Sequence, residues 1–275
     1  MMQEQRHIYY DAVLNIEIYN LKGIVQKFPN HFHEYYVIGF VEDGKRHLWC
    51  KNKEYDLEAG DLIIFNPNDA HCCAPINDEI LDYRAINIPV AIMNKYALLI
   101  NETETPFFVN IVVSHSQAVT MIQEVYDAIL NEKDILEKEE KLYMLLEFII
   151  IEHIDLEREY NSVKKHEDIL NVCHYMEENY SENISLTDLL SITSFGKSYL
   201  LRAFTKQVGV SPYRYLQSIR LNKAKQLLEQ NIPILDVAIM VGFSDQSHLT
   251  NYFKEFIGVT PKQYQNIFKD KNLAK

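Results

Sequence analysis

The last third of the chain carries one helical pattern twice, 49 residues apart: Leu200 aligns with Leu249, Phe204 with Phe253, Gly209 with Gly258, Val210 with Val259, Pro212 with Pro261 and Tyr215 with Tyr264. A repeat this short marks a duplicated supersecondary unit, because each copy needs the same buried apolar points and the same chain reversals to pack. The punctuation inside the first copy says which unit. Ser185 caps a helix with Leu186, Leu189 and Leu190 at helical spacing, and Asp188 sits favourably near its N-terminus. Residues 193–196 break the run, and a second helix follows with Leu200, Phe204 and Val208 inward, so that Lys197, Ser198, Leu201 and Arg202 face out. Gly209 closes that helix. Ser211 and Pro212 then open a longer one, running to about Glu229, which Arg214, Arg220, Lys223 and Lys225 make basic.

The second copy repeats this order. Pro233 starts a helix with Leu235, Ala238 and Ile239 inward, Gly242 and Phe243 turn the chain, and Ser244 caps a helix from Asp245 to about Phe256. Its outer face carries Gln246, Ser247, Thr250 and Asn251, and Thr260 with Pro261 starts a final helix. Each copy therefore reads as a helix-turn-helix. A helix in the major groove reads base edges with its N-terminal residues, and Gln, Asn, Arg and Ser carry donors and acceptors that suit those edges. A merely solvated polar face would account for one such helix, but two in tandem, joined by a basic helix, predict a reader of double-stranded DNA.

The charge distribution agrees. The whole chain carries a net −12, yet residues 1–165 hold 15 Lys and Arg against 28 Asp and Glu, whereas residues 183–265 hold 9 against 5. The acidity lies in the N-terminal part, and the reader keeps the positive balance that phosphate contact needs. No run of about 18 apolar residues occurs and the N-terminus lacks a signal-peptide core, so a cytoplasmic protein with no membrane partner is expected. Cys50, Cys72, Cys73 and Cys173 form no CxxC pair and are expected as reduced thiols.

Residues 184–268 resemble the DNA-binding domain of AraC/XylS-type transcription regulators. The motifs that carry the resemblance are Gly209 to Pro212, Arg220 to Ala224 with Leu227 and Leu228, Ile234 to Ala238, Val241 to Ser244, Tyr252 to Lys254, and Gly258 to Pro261 with Tyr264. The resemblance implies that the two second helices enter successive major-groove segments of promoter DNA. Lys197, Ser198, Leu201 and Arg202 would face the first segment, and Gln246, Ser247, Thr250 and Asn251 the second. The chain departs from the family at Gly196, where a Ser cap is usual, and at Leu201, where a polar base reader is common.

From Asn15 to Pro89 the pattern is β: runs such as Tyr36–Val41, Arg46–Lys51 and Leu62–Phe65 alternate with turn signals, which suggests an antiparallel barrel or jelly roll. His31 and His33 would point to one side of a strand, where His71 from a neighbouring strand could meet them. This portion resembles a cupin, the ligand-binding barrel of the same regulator family, through His31 and His33 and through Gly60 and Asp61 to Pro67 with His71. Metal-binding cupins carry a Glu a few residues past the His pair, which this chain lacks. Two readings stand: a metal-free pocket, or a divalent metal on His31, His33 and His71 with Cys73 or Glu34 as fourth ligand. By default the pocket is the effector site, with His31, His33, Tyr35, Trp49, His71 and Arg84 offering donors and aromatic walls to a small polar or carboxylated metabolite.

Residues 114–156 switch to helical period, with Val119, Ile122, Tyr126 and Ile129 in one stripe and Leu142, Leu145, Leu146, Ile149, Ile150 and His153 in another. The pair packs on its own barrel, and the second stripe is broad enough for a partner too; the resemblance implies that these helices dimerise. The expectation is a two-domain α+β chain. Residues 1–113 form a cupin-like effector-binding β-barrel, 114–156 a helical dimerisation pair, 157–166 a linker, and 167–275 an all-α DNA-binding domain with tandem helix-turn-helix motifs. Its function is that of a homodimeric transcription regulator, not an enzyme, whose partners are promoter DNA, a small effector and RNA polymerase. The alternative is a metal-dependent cupin enzyme fused to a DNA-binding module.

Overall fold

The computed structural model describes residues 4–51, 53–101, 104–154 and 166–269. The N-terminal strands are β1 (Gln5–Asp11), β2 (Ile16–Ile24), β3 (Phe28–His31), β4 (Tyr36–Asp43), β5 (Arg46–Cys50), β6 (Lys53–Leu57), β7 (Leu62–Phe65), β8 (His71–Pro75), β9 (Leu81–Ile88) and β10 (Val112–Val113). They form two antiparallel sheets, one ordered β1-β2-β9-β4-β7-β10 and the other β3-β8-β5-β6. The inner strands β2, β9, β4 and β7 of the larger sheet are largely apolar on both faces because both are covered. Ile16, Ile18, Ile38, Phe40, Ile86 and Ile88 pack beneath helices, while their alternating neighbours Tyr19, Leu21, Val37, Val41 and Ala85 turn towards the smaller sheet.

The covering helices are α1 (Val90–Asn101), α2 (Ala118–Leu130) and α3 (Ile135–His153). Tyr126 of α2 pins the layer to the sheet: its hydroxyl accepts from the Ala85 N–H at 2.9 Å and bonds the carbonyls of Ala85 and Tyr19. The second stripe is consumed inside the chain, with Leu142, Leu145, Leu146, Ile149 and Ile150 all fully buried. On α3 the large apolar side chains left exposed are instead Ile135, Leu136, Met144 and Ile151.

The C-terminal domain comprises α4 (Glu167–Glu178), α5 (Leu186–Ser191), α6 (Lys197–Val208), α7 (Pro212–Glu229), α8 (Ile234–Met240), α9 (Gln246–Ile257) and α10 (Pro261–Ile267). Ser185 with Asp188, and Thr260 with Gln263, form capping boxes, and Ser211 caps α7. Gly209 and Gly258 end α6 and α9 in the left-handed conformation, at φ of 87° and 91°, which glycine adopts without a steric cost. Of the expected linker, residues 157–165 lie outside the described residues.

Two expectations are corrected. The cap of α9 is Asp245, not Ser244: its carboxylate accepts from the His248 N–H at 2.8 Å, while the Ser244 hydroxyl donates to that same carboxylate. In α8 the buried residues are Val237 and Ala238, whereas Leu235 and Ile239 face out, because a helix of this length rests on adjacent positions rather than on a long stripe. The basic helix α7 is found where expected, and three of its basic residues are held within the chain. Arg220 donates to the carbonyls of Tyr180 and Glu182 at 2.8 Å, Lys225 is buried against Glu17, and Arg214 pairs with Glu255 at 3.6 Å. Helix α7 is a core element clasped on several sides.

Candidate effector cavity and nucleic-acid interface

A cavity of about 120 Å³ lies between the two sheets. His31, His33, Tyr35 and His71 line it, together with Arg46, Tyr83 and Asn87, which the sequence reading missed. The rest of the wall is apolar, including Leu21, Phe28, Leu48, Ile63 and Phe65. Two wall residues, Phe256 and Ile257, come from the C-terminal end of α9 in the DNA-binding domain. Trp49 and Arg84 are placed elsewhere by strand parity. Leu48 and Tyr83 point inward, so their neighbours point out; Trp49 meets His47 edge to face, and Arg84 pairs with Glu42.

Strand β3 ends at His31, yet His33 still reaches the cavity from the following loop. The ligand-competent nitrogens of His31, His33 and His71 lie within 4.8 Å of one another. Backbone carbonyls fix two of the rings: His31 Nδ1 donates to the Pro29 oxygen at 2.6 Å and His71 Nδ1 to the Asp69 oxygen at 2.8 Å. A carbonyl can only accept, so in the neutral ring the lone pair sits on Nε2. Burial, and then the neighbouring His71, pushes His31 down to about 3, and burial takes His71 down to about 4. Burial lowers His33 as well. The cluster is therefore neutral at physiological pH. Three neutral imidazoles, two of them with carbonyl-fixed tautomers and the third, His33, held by the Tyr35 hydroxyl at 3.1 Å, are a donor set that fits a divalent metal. Of the expected fourth ligands, Cys73 lines the cavity, whereas Glu34 lines a separate cleft beside Asn222.

The cavity continues into a buried polar contact between the domains. Lys225 of α7 donates to Glu17 at 3.0 Å and to the Tyr35 hydroxyl at 3.3 Å, and the Tyr264 hydroxyl donates to Glu17. Burial alone would raise Glu17, but the Lys225 charge and the Tyr264 hydroxyl outweigh it and hold the carboxyl below its usual range. Burial alone would lower Lys225, and Glu17 reverses that too. Docking is completed on backbone atoms. Asn30 donates to the Gly209 carbonyl at 2.8 Å, Arg6 to the Gly258 carbonyl at 3.2 Å, and Gln26 to the Glu255 carbonyl at 3.1 Å. The N-terminal domain thus holds the C-terminal ends of both α6 and α9.

The opposite ends of these helices are free. Lys197, Ser198, Leu201 and Arg202 on α6 are exposed, as are Gln246, Ser247 and Asn251 on α9, with Thr250 half-buried. Lys206 and Lys254 are exposed further along the same helices. Each helix has an apolar inner face, Leu200 with Phe204 or Leu249 with Phe253, that fixes which residues project.

Residues 14–146 match the AraC-like ligand binding domain and residues 189–267 a helix-turn-helix domain. A Bacillus subtilis (strain 168) protein named uncharacterized HTH-type transcriptional regulator YbfI is 44% identical over 250 residues, covering 90% of this chain and 91% of that one. The chain belongs to the AraC-type transcriptional regulators. This regulator is also 27% identical over 235 residues to the Staphylococcus aureus (strain COL) HTH-type transcriptional regulator SACOL0084, covering 83% of itself but only 31% of that longer protein. Two structures of ToxT from Vibrio cholerae share its fold. An apo variant gives a TM-score of 0.56 at 16% identity over 95% of this chain and 100% of that one; the unsaturated fatty acid-bound wild type gives 0.53 at 17% over 98% and 99%. The regulator joins a DNA-binding helix-turn-helix domain to a ligand-binding domain, and no helix among the described residues is long and apolar enough to cross a membrane.

Proposed function

We propose that a small metabolite enters the cavity, meets His31, His33, Tyr35 and His71, and changes how α9 is held. The observation that carries this is the shared wall: Phe256 and Ile257 belong both to the cavity and to the second DNA-reading helix. A ligand that fits one arrangement of this wall better than another shifts the population of reader geometries, by no more than its difference in affinity for the two. Lys197, Ser198, Leu201 and Arg202 face one major-groove segment, and Gln246, Ser247, Thr250 and Asn251 the next. Residues 1–113 sense, 167–275 read, and 114–156 join two copies. In that last unit exposed Met144 and Ile151 of α3 support a homodimer contact. The regulator works in the cytoplasm without catalysis and contacts RNA polymerase at the promoter.

The test selects an operator from random duplexes with the full chain and compares variants on it. Each good base contact contributes about 1–3 kcal/mol of discrimination, so Arg202→Ala with Gln246→Ala should abolish sequence-specific retention and leave the fold intact. Unchanged operator affinity would sink the reading. In this reading the histidine cluster belongs to the effector, with no resident metal. A native mass spectrum showing a stoichiometric divalent metal, lost in His71→Ala, would replace it with the metal-dependent enzyme.

A further inference from the structure

The cavity holds a cation that forms no ion pair among the described residues. Arg46 lies on the inward face of β5 beside Leu48, lines the cavity, and is fully buried. Its Nη2 donates to the Ile24 carbonyl. Among the described residues nothing accepts from Nε or Nη1, so three of its five N–H bonds, one on Nε and two on Nη1, point at no acceptor. A guanidinium stays charged in a protein, so this group cannot relieve its burial by losing a proton as the neighbouring histidines do. The acidic groups that act on it are Cys73 and Glu4. Burial holds the Cys73 thiol up at about 11 and therefore neutral, while Glu4 is taken by Arg6 at 3.0 Å.

We propose that the effector is a compact monocarboxylate whose oxygens accept from Arg46 Nε and Nη1 and whose body lies against Leu21, Phe28, Leu48 and Ile63. This rests on the cavity being the effector site and names the chemistry it selects. Water could fill the hydrogen bonds, but only an anion answers the charge, and a buried charge without a partner is the costliest polar group a fold can hold. The apolar wall sets the rest of the ligand: a cavity of about 120 Å³ is near the size that accommodates one benzene-sized body. Neutral His31, His33 and His71 then serve as hydrogen-bond partners and do not compete for the anion.

The test is calorimetric titration of the full chain with straight-chain carboxylates from acetate to octanoate and with phenylacetate, each against its amide. Acids should bind at least tenfold more tightly than the matched amides, with the preference peaking at intermediate size. Arg46→Gln should erase that preference and leave the ligand-free protein at least as resistant to heat as the parent, because the unanswered charge is gone. Arg46→Lys should keep much of the preference, and Arg84→Gln, which changes an arginine outside the cavity, should keep all of it. Equal binding of acid and amide, no binding by any acid of the series, or a preference that survives Arg46→Gln would overturn the assignment. So would loss of heat resistance in the ligand-free Arg46→Gln and Arg46→Lys proteins, since the guanidinium would then be part of the fold. Operator affinity separates this inference from the reading it rests on. Acids that bind through Arg46 without moving operator affinity would refute the effector reading alone, and acids and amides that move it equally would refute only the Arg46 assignment.

Discussion

Replacing Glu17 by Gln keeps the shape of the side chain and removes one charge from the buried contact between the domains. Lys225 would then sit inside the protein, with side-chain exposure of 6%, its direct ion-pair partner lost and only the weaker influence of Glu229 remaining. Removing one partner of a buried, hydrogen-bonded ion pair costs about 3–5 kcal/mol, because the other charge is left uncompensated. Replacing both members with well-packed residues of similar volume is often close to neutral. The full-length single variant should therefore lose about 3–5 kcal/mol in urea unfolding, and Glu17→Gln with Lys225→Met should recover most of that loss. The same pair gives acid sensitivity. A carboxylate whose native pKa lies below its unfolded value contributes stability above about pH 4.3 and loses it as pH falls through the native value. The variant should lack that component of the acid transition. A loss under about 1 kcal/mol in the single variant, or a double variant no more stable than the single, would refute the argument that this ion pair ties sensor to reader.

Two further outcomes follow from the local geometry. Asp245→Ala should cost about 1 kcal/mol through loss of the α9 cap and weaken operator binding, while Ser244→Ala should cost clearly less; denaturation curves of the two variants decide it. The histidine cluster should also make stability depend on pH. The native pKa values of His31 and His71 lie near 3 and 4, so below about pH 6.5 the unfolded chain takes up protons that the native cluster refuses. Stability should be fully present above about pH 6.5 and fall towards pH 4, with each histidine contributing up to about 1.4 kcal/mol per pH unit. His71→Phe should lower that slope by one histidine's share, and an unchanged slope would show that the cluster is hydrated.

The reader was legible because its signals are local. Caps, helix-ending glycines and apolar spacing lie within a few residues of the positions they govern, so α5 to α7 and the exposed faces of α6 and α9 follow from sequence alone. The exceptions are instructive. Asp245 and Ser244 are both good caps, and nothing local decides between them. The basic composition of α7 did not show what its charges meet, because Arg220 and Lys225 are held by Tyr180, Glu182 and Glu17, and those contacts are long-range. In the sensor, His31, His33 and His71 could be paired from spacing. Arg46, Trp49 and Arg84 could not be sorted, because a strand's inward parity is set by a register that only pairing fixes. The signal that could have found Arg46 was parity with Leu48 in a run whose odd members are charged or aromatic.

The duplicated helix ends carry a consequence for how such a regulator can change over generations. Asn30 and Arg6 take hold of α6 and α9 through the carbonyls of Gly209 and Gly258, atoms that every amino acid supplies. The side chains proposed to face DNA lie at the other ends of the same helices. Drift in operator sequence can therefore be matched by substitutions at Arg202 or Gln246 while the grip of the sensor stays as it was. Recruiting a new promoter and keeping an old signal are, in this architecture, separable mutational problems.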